Sequence, residues 1–317
     1  MKRISLALGG GGTKGFAHIG VIRQLEKSGF QIKAVSGTSA GGIVGCLYAY
    51  GIPTEEIESF SKSLKYSELF SRSSDDPPSL LGLGGLNKQL ENILGDACFD
   101  QIKIPFGVTT VDIHSGDEII INSGRLVDAA KATAAIPGIF PAMEIGHHTL
   151  VDGGVLDPVP VALARWLQPD LPVVAVSLTP QMEDWPKVPR IDIPPYVPIP
   201  QIIIDHLSQF RLGKAMHIFI DSMEIMINKI TDLRLRLDKP DVIIRPKVHE
   251  YTMFDKVDID HVIRLGEQAV LDALQDLKTI NSPDKRLNRW FRVTKPPGKI
   301  LKPDECLSRS DVGEDHH

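Results

Sequence analysis

A serine set between glycines, a run of four glycines, and an aspartate followed by two more glycines are the places where residue type and spacing suit chemistry. Gly37-Thr38-Ser39-Ala40-Gly41 is a G-x-S-x-G pattern, in which small neighbours let a serine occupy a sharp turn and present its hydroxyl as a nucleophile. Residues 9–15 read GGGGTKG, and glycines there allow backbone N–H groups to approach negative charge closely. Asp152-Gly153-Gly154 offers a carboxylate base, although such a triplet alone is an ordinary turn.

Two competing phosphate-binding readings fail on their own requirements. Gly10, Gly12 and Gly15 satisfy G-x-G-x-x-G, but dinucleotide binding also needs an acidic residue after the second strand. That strand ends in Val35-Ser36-Gly37-Thr38, with no Asp or Glu. A Walker loop fails because Phe16 stands where lysine is required.

Each candidate needs a strand and a turn to hold it, and the hydrophobic pattern supplies them. Ile4–Leu8 is a short apolar run stopped by glycines, which predicts a buried strand. Ala17–Lys27 carries Ile19, Ile22 and Leu25 at helical spacing, and Gly29 ends it. Ile32–Val35 predicts a second strand and Ile43–Tyr50 a buried helix closed by Gly51. This strand–helix alternation predicts an α/β fold with a mostly parallel sheet between two layers of helices.

Further strands are expected at 105–111, 118–121 and 173–177, with a hairpin over 143–151 leading into Asp152. Ala129–Ala135 predicts a small-residue helix. Residues 54–92 turn polar, with a Ser/Asp/Pro stretch at 71–79 and a glycine loop at 82–85, and read as a surface excursion or cap. The proline-rich stretch at 185–200 is expected to be extended. A long helix follows over 214–237, then a strand at 241–245 and a helix at 260–277.

Bulk properties narrow the function. With 35 Lys and Arg against 40 Asp and Glu, the formal charge is −5, which gives no electrostatic case for nucleic acid. Cys46, Cys98 and Cys306 form neither a disulfide framework nor a metal-ligand spacing. The apolar run after Met1 is too short for a secretory signal, and no run of about 18 apolar residues occurs, so a cytoplasmic protein is expected.

Taken in order, four segments resemble the patatin-like phospholipase family, in its bacterial branch related to neuropathy target esterase. They are LALGGGGTKGFAHIGVI at 6–22, SGTSAGGIVG at 36–45, AAIPGIFPAMEIG at 134–146 and LVDGGVLDPVP at 150–160. The resemblance implies a three-layer patatin-like domain over residues 1–278, with cap, lid and pocket segments at 54–100 and 181–240. It implies Ser39 as nucleophile, Asp152 as base, Gly10, Gly11 and Gly12 as the oxyanion loop, and Lys14 as that loop's basic residue. The implied activity is hydrolysis of a lipid or phospholipid carboxylic ester without metal or cofactor. Acyl transfer to another acceptor, or a silent lipid- or protein-binding module, are the alternatives.

The local competitor is a Ser-His-Asp triad, for which His206, His217, His249 and His261 follow the acid. His147 and His148 read as hairpin residues. Lys14 is either a surface residue at a helix start or a group that holds the loop or attracts phosphate. The 214–237 stripe is expected to pack on the core or on another subunit. Residues 285–302 hold seven basic residues, no acidic ones, and Trp290 and Phe291. Within an irregular tail at 279–317, that segment suits peripheral contact with an anionic membrane, and a solvated tail is the competing reading.

Overall fold

The computed structural model describes residues 1–64, 79, 81–82, 84–180, 209–282 and 295–301. Strand β1 (Lys2–Leu8) leads through a 3-10 turn, Gly12–Phe16, into helix α1 (Ala17–Lys27), and β2 (Phe30–Gly37) leads into α2 (Ala40–Tyr50). Next come α3 (Thr54–Ser63), α4 (Gly84–Leu94), β3 (Phe106–Asp112), β4 (Glu118–Ile121) and α5 (Leu126–Thr133). The hairpin β5 (Met143–Ile145) and β6 (His148–Asp152) precedes α6 (Val161–Leu167) and β7 (Val173–Val176). The later elements are α7 (Gln209–Asp238), β8 (Val242–Ile244), α8 (Ile259–Asp272), α9 (Leu274–Lys278) and β9 (Lys299–Ile300).

One sheet has the order β5-β6-β3-β2-β1-β7-β8, with β4 paired to β3 and β9 to β4. The pairs β1–β2, β1–β7, β2–β3 and β7–β8 are parallel, whereas β3 runs antiparallel to β4 and β6. Alternation along β1 shows how helices cover both faces. Ile4, Leu6 and Leu8 join a core with Ile19, Ile22 and Leu25 of α1, Leu47 of α2 and Ile263 of α8. Ala7 points the other way, to Val161 and Ala164 of α6 and Leu235 of α7. The result is the three-layer, mostly parallel α/β fold that the sequence predicts.

Two expectations change. Residues 54–92, read as a polar excursion, contain the amphipathic helix α3 and most of α4, which bury Ile57 and Leu90. Glu55 and Glu56 sit in the first turn of α3, where the helix field favours negative charge. The stretch read as an irregular tail returns to the sheet, because β9 pairs with β4 and Leu301 is buried beside it. Most of 71–79, the proline-rich stretch at 185–200 and the basic residues before Lys295 lie outside the described residues. Among the described residues no helix is long and apolar enough to cross a membrane.

Helices α1 and α8 cross with almost no side chain between them. A Cβ at Gly20 would lie 1.9 Å from the Ile263 carbonyl oxygen, and one at Gly266 would lie 2.0 Å from that of Ala17. Backbone obstacles cannot rotate away. Gly266→Ala is therefore expected to lower stability by about 1–3 kcal/mol, read as a shifted urea midpoint with an unchanged slope. A midpoint equal to that of the wild type would show that the helices move apart freely.

Candidate active site

Ser39 sits in the turn between β2 and α2 with φ 54° and ψ −126°, a left-handed conformation that a non-glycine residue holds only under constraint. Its neighbours have no room for side chains. A Cβ at Gly37 would be 2.6 Å from the Gly41 oxygen, and one at Gly41 would be 2.3 Å from the Leu8 oxygen. Hydrogen bonds fix the turn from outside it. The Ser39 N–H donates to Thr133 Oγ1 at 3.0 Å, and that hydroxyl donates to the Thr109 carbonyl at 2.8 Å. Thr38 Oγ1 donates to the Asp157 carbonyl at 2.8 Å and lies 2.9 Å from Thr109 Oγ1.

Asp152 ends β6, opposite Thr110 of β3, so antiparallel pairing carries it to the serine turn. Its N–H donates to the Ala135 carbonyl at 2.8 Å. Its carboxylate accepts the Gly154 N–H at 2.7 Å. The side chain is buried, and burial pushes its pKa up to about 6 against the opposing pull of the neighbouring Ser39 hydroxyl and the Gly154 N–H.

The glycine loop passes directly beside the serine: a Cβ on Gly10 would be 3.2 Å from that of Ser39. Gly9 donates to the Val176 carbonyl and Gly10 to that of Pro158, each at 2.9 Å. The Gly10 N–H is thus occupied within the fold. Gly11 and Gly12 have no backbone N–H partner among the described residues, and neither has Ala40, the residue after the serine. Ala40 was overlooked as a donor, although its place after a G-x-S-x-G serine was the available signal.

Lys14 is not a surface residue. It is 3% exposed, and its ammonium pairs with Glu224 of α7 at 3.5 Å. Several described histidines engage other groups. His148 Nδ1 lies 3.2 Å from Asp112 Oδ2, His261 lies near Glu250 and Tyr251, and His18 contacts the Gly9 carbonyl. Among the described residues no histidine is hydrogen-bonded to Ser39 or Asp152. His206 and the side chain of His217 lie outside them.

Ser39 opens onto a pocket of about 840 Å³, counting its mouth. Its walls are nearly all apolar: Ile43 and Leu47 of α2, Ile57 and Phe60 of α3, Leu86 of α4, and Ile136 and Phe140 after α5.

The sequence model of the patatin-like phospholipase family matches residues 6–165. The chain belongs to that family. An uncharacterised NTE family protein of Mycobacterium tuberculosis is 36% identical over 179 residues, covering 56% of this chain and 49% of the relative. Lysophospholipase NTE1 of Pyricularia oryzae is 27% identical over 294 residues, covering 87% of this chain and 19% of the relative. The chain spans about half the length of the mycobacterial relatives it matches. Among solved structures, VipD of Legionella pneumophila has a TM-score of 0.48 at 13% identity, over 86% of this chain and 66% of that one.

Within this patatin-like domain the buried Asp152 carboxylate lowers stability when ionised. A carboxyl whose pKa rises from 3.8 to about 6 on folding contributes full stability below about pH 3.8, and loses it as pH rises through 6. The loss approaches about 3 kcal/mol at neutral pH. Asp152→Asn is expected to raise the urea midpoint at pH 8 and to change it little at pH 4. A variant less stable than the wild type at pH 8 would contradict this.

Proposed function

We propose that this chain hydrolyses a carboxylic ester of a lipid, with Ser39 as nucleophile and Asp152 as its base. The observation that carries the proposal is a buried carboxylate of raised pKa next to a strained-turn serine that opens onto an apolar pocket. Raising the Asp152 pKa to about 6 makes it a stronger base than a solvated aspartate, while leaving it mostly ionised at neutral pH.

In this reading Asp152 takes the Ser39 proton as Oγ attacks the ester carbonyl. The carbonyl π pair moves onto oxygen, and the N–H groups of Gly11, Gly12 and Ala40 are the donors free to receive it. Collapse of the tetrahedral adduct breaks the ester C–O bond, and the departing alcohol takes the proton from Asp152. Water then attacks the acyl-enzyme with Asp152 again accepting a proton, and the acid leaves as Ser39 recovers its hydrogen. The apolar walls suit an acyl chain, and the family membership supports a phospholipid or lysophospholipid as its source.

The outward row of Ile218, Phe219, Ile225 and Met226 on α7 is exposed, and it suits the approach of a lipid surface. Its inward neighbours Ile220 and Met223 pack on the Ile136–Phe140 cluster that borders the pocket.

A fluorophosphonate probe is expected to label Ser39 in the wild type and to leave Ser39→Ala unmodified, with the adduct located by mass spectrometry. Turnover of a lysophospholipid should follow the same pattern. Asp152→Asn should reduce kcat/KM by about 10³-fold or more, and the wild-type kcat/KM should rise with pH through about 6 as Asp152 loses its proton. Loss of all activity on replacing one histidine that makes no contact with the glycine loop would favour a triad instead.

A further inference from the structure

Gly9 and Gly10 are joined by a peptide unit that is held at both ends. Its N–H, on Gly10, donates to the Pro158 carbonyl at 2.9 Å. Its oxygen, on Gly9, lies 2.7 Å from Nε2 of His18. A carbonyl oxygen has no hydrogen to give, so Nε2 carries the proton and the ring is the Nε2–H tautomer. Full burial keeps that ring neutral, with a pKa lowered to about 4, and its Nδ1 has no partner among the described residues. His18 stands in the first turn of α1 and reaches back over the 3-10 turn to the strand end that precedes it.

The consequence concerns the next two amides. A peptide plane clamped at both ends cannot rotate, and the following units inherit its orientation. Gly11 then runs against Leu178, whose Cδ1 would lie 2.8 Å from a Cβ there. Gly12 adopts φ 60° against the Met253 carbonyl. With the Thr13 N–H also bonded to the Met253 carbonyl, the loop is tied before and after, and between those ties the Gly11 and Gly12 N–H groups have no backbone partner among the described residues.

We propose that His18 is a positioning residue for the oxyanion site: its Nε2–H fixes the Gly9–Gly10 peptide so that the Gly11 and Gly12 amides face the oxygen of the reacting ester. It touches neither substrate nor Ser39, and it exchanges no proton during the reaction. The inference rests on the hydrolase reading of Ser39 and extends it to a residue outside the pocket lining.

Side-chain reach provides the test. The Nε2 of glutamine occupies nearly the place of the histidine Nε2, whereas the asparagine amide stops near the Nδ1 position. His18→Gln and His18→Asn are compared with the wild type on a soluble ester and against an alkyl trifluoromethyl ketone. Ser39 Oγ adds to the ketone carbon, the carbonyl electrons become the oxyanion and the serine proton passes to Asp152; no leaving group departs, so the adduct reports the oxyanion site directly. His18→Gln is expected to keep kcat and ketone affinity within about 3-fold, and His18→Asn to lose about 10- to 100-fold in both, with KM little changed. Equal losses in the two variants, or an Asn variant that is less heat-stable yet keeps its kcat and ketone affinity, would overturn the positioning role and leave the hydrolase reading intact. A wild type that turns over no ester and binds no ketone would overturn both.

Discussion

A serine with positive φ is a costly arrangement, and much of this molecule is organised to hold one in place. The turn at Ser39 is pressed between the end of β1 and the start of α2, with glycine at 37 and 41 because backbone atoms occupy the space that side chains would need. Left-handed backbone at a residue other than glycine costs about 1–3 kcal/mol. The Ser39 N–H bond to Thr133 Oγ1 and the Thr38 hydroxyl bond to the Asp157 carbonyl, both to groups distant in sequence, offset it. The turn leaves Ser39 at the wall of the apolar pocket.

The same part of the fold contains two buried aspartates with opposite surroundings. Asp157 is paired with Arg234 of α7 at 2.6 Å, yet burial raises its pKa even against that cation. Asp152 has no ion-pair partner among the described residues and accepts the Gly154 N–H, and burial raises its pKa as well. The first arrangement anchors the loop that follows Asp152 to α7. The second leaves a carboxylate that takes up a proton more readily than a solvated one.

Helix α7 ties these parts together. Glu224 pairs with Lys14 at the end of the glycine loop, and Arg234 pairs with Asp157 after Asp152, ten residues further along the helix. Buried ion pairs add little net stability, since desolvation opposes their attraction. Their directional character suits them to set where one element sits against another. Here they join the Lys14 turn and the Asp157 loop to a single helix.

The sequence by itself determined the elements whose causes are local. Alternating strands and helices followed from apolar periodicity, and the Ser39 turn from the small residues its sterics demand. The ordered motifs single out Ser39 and Asp152 as candidate site residues. The α3 and α4 helices were harder to read, because their apolar positions are few among polar residues and only packing on the core reveals them. Tertiary structure alone decided the rest. Whether a glycine N–H is free depends on a carbonyl some 150 residues away, as Pro158 does for Gly10. Lys14 looks like a surface residue until α7 brings Glu224 to it, and Thr133 and His18 look like ordinary helix residues until the sheet folds them against Ser39 and Gly9. Sterics act between chain neighbours and leave a mark in local sequence; hydrogen bonds and burial act across space, and only the assembled fold sets their partners.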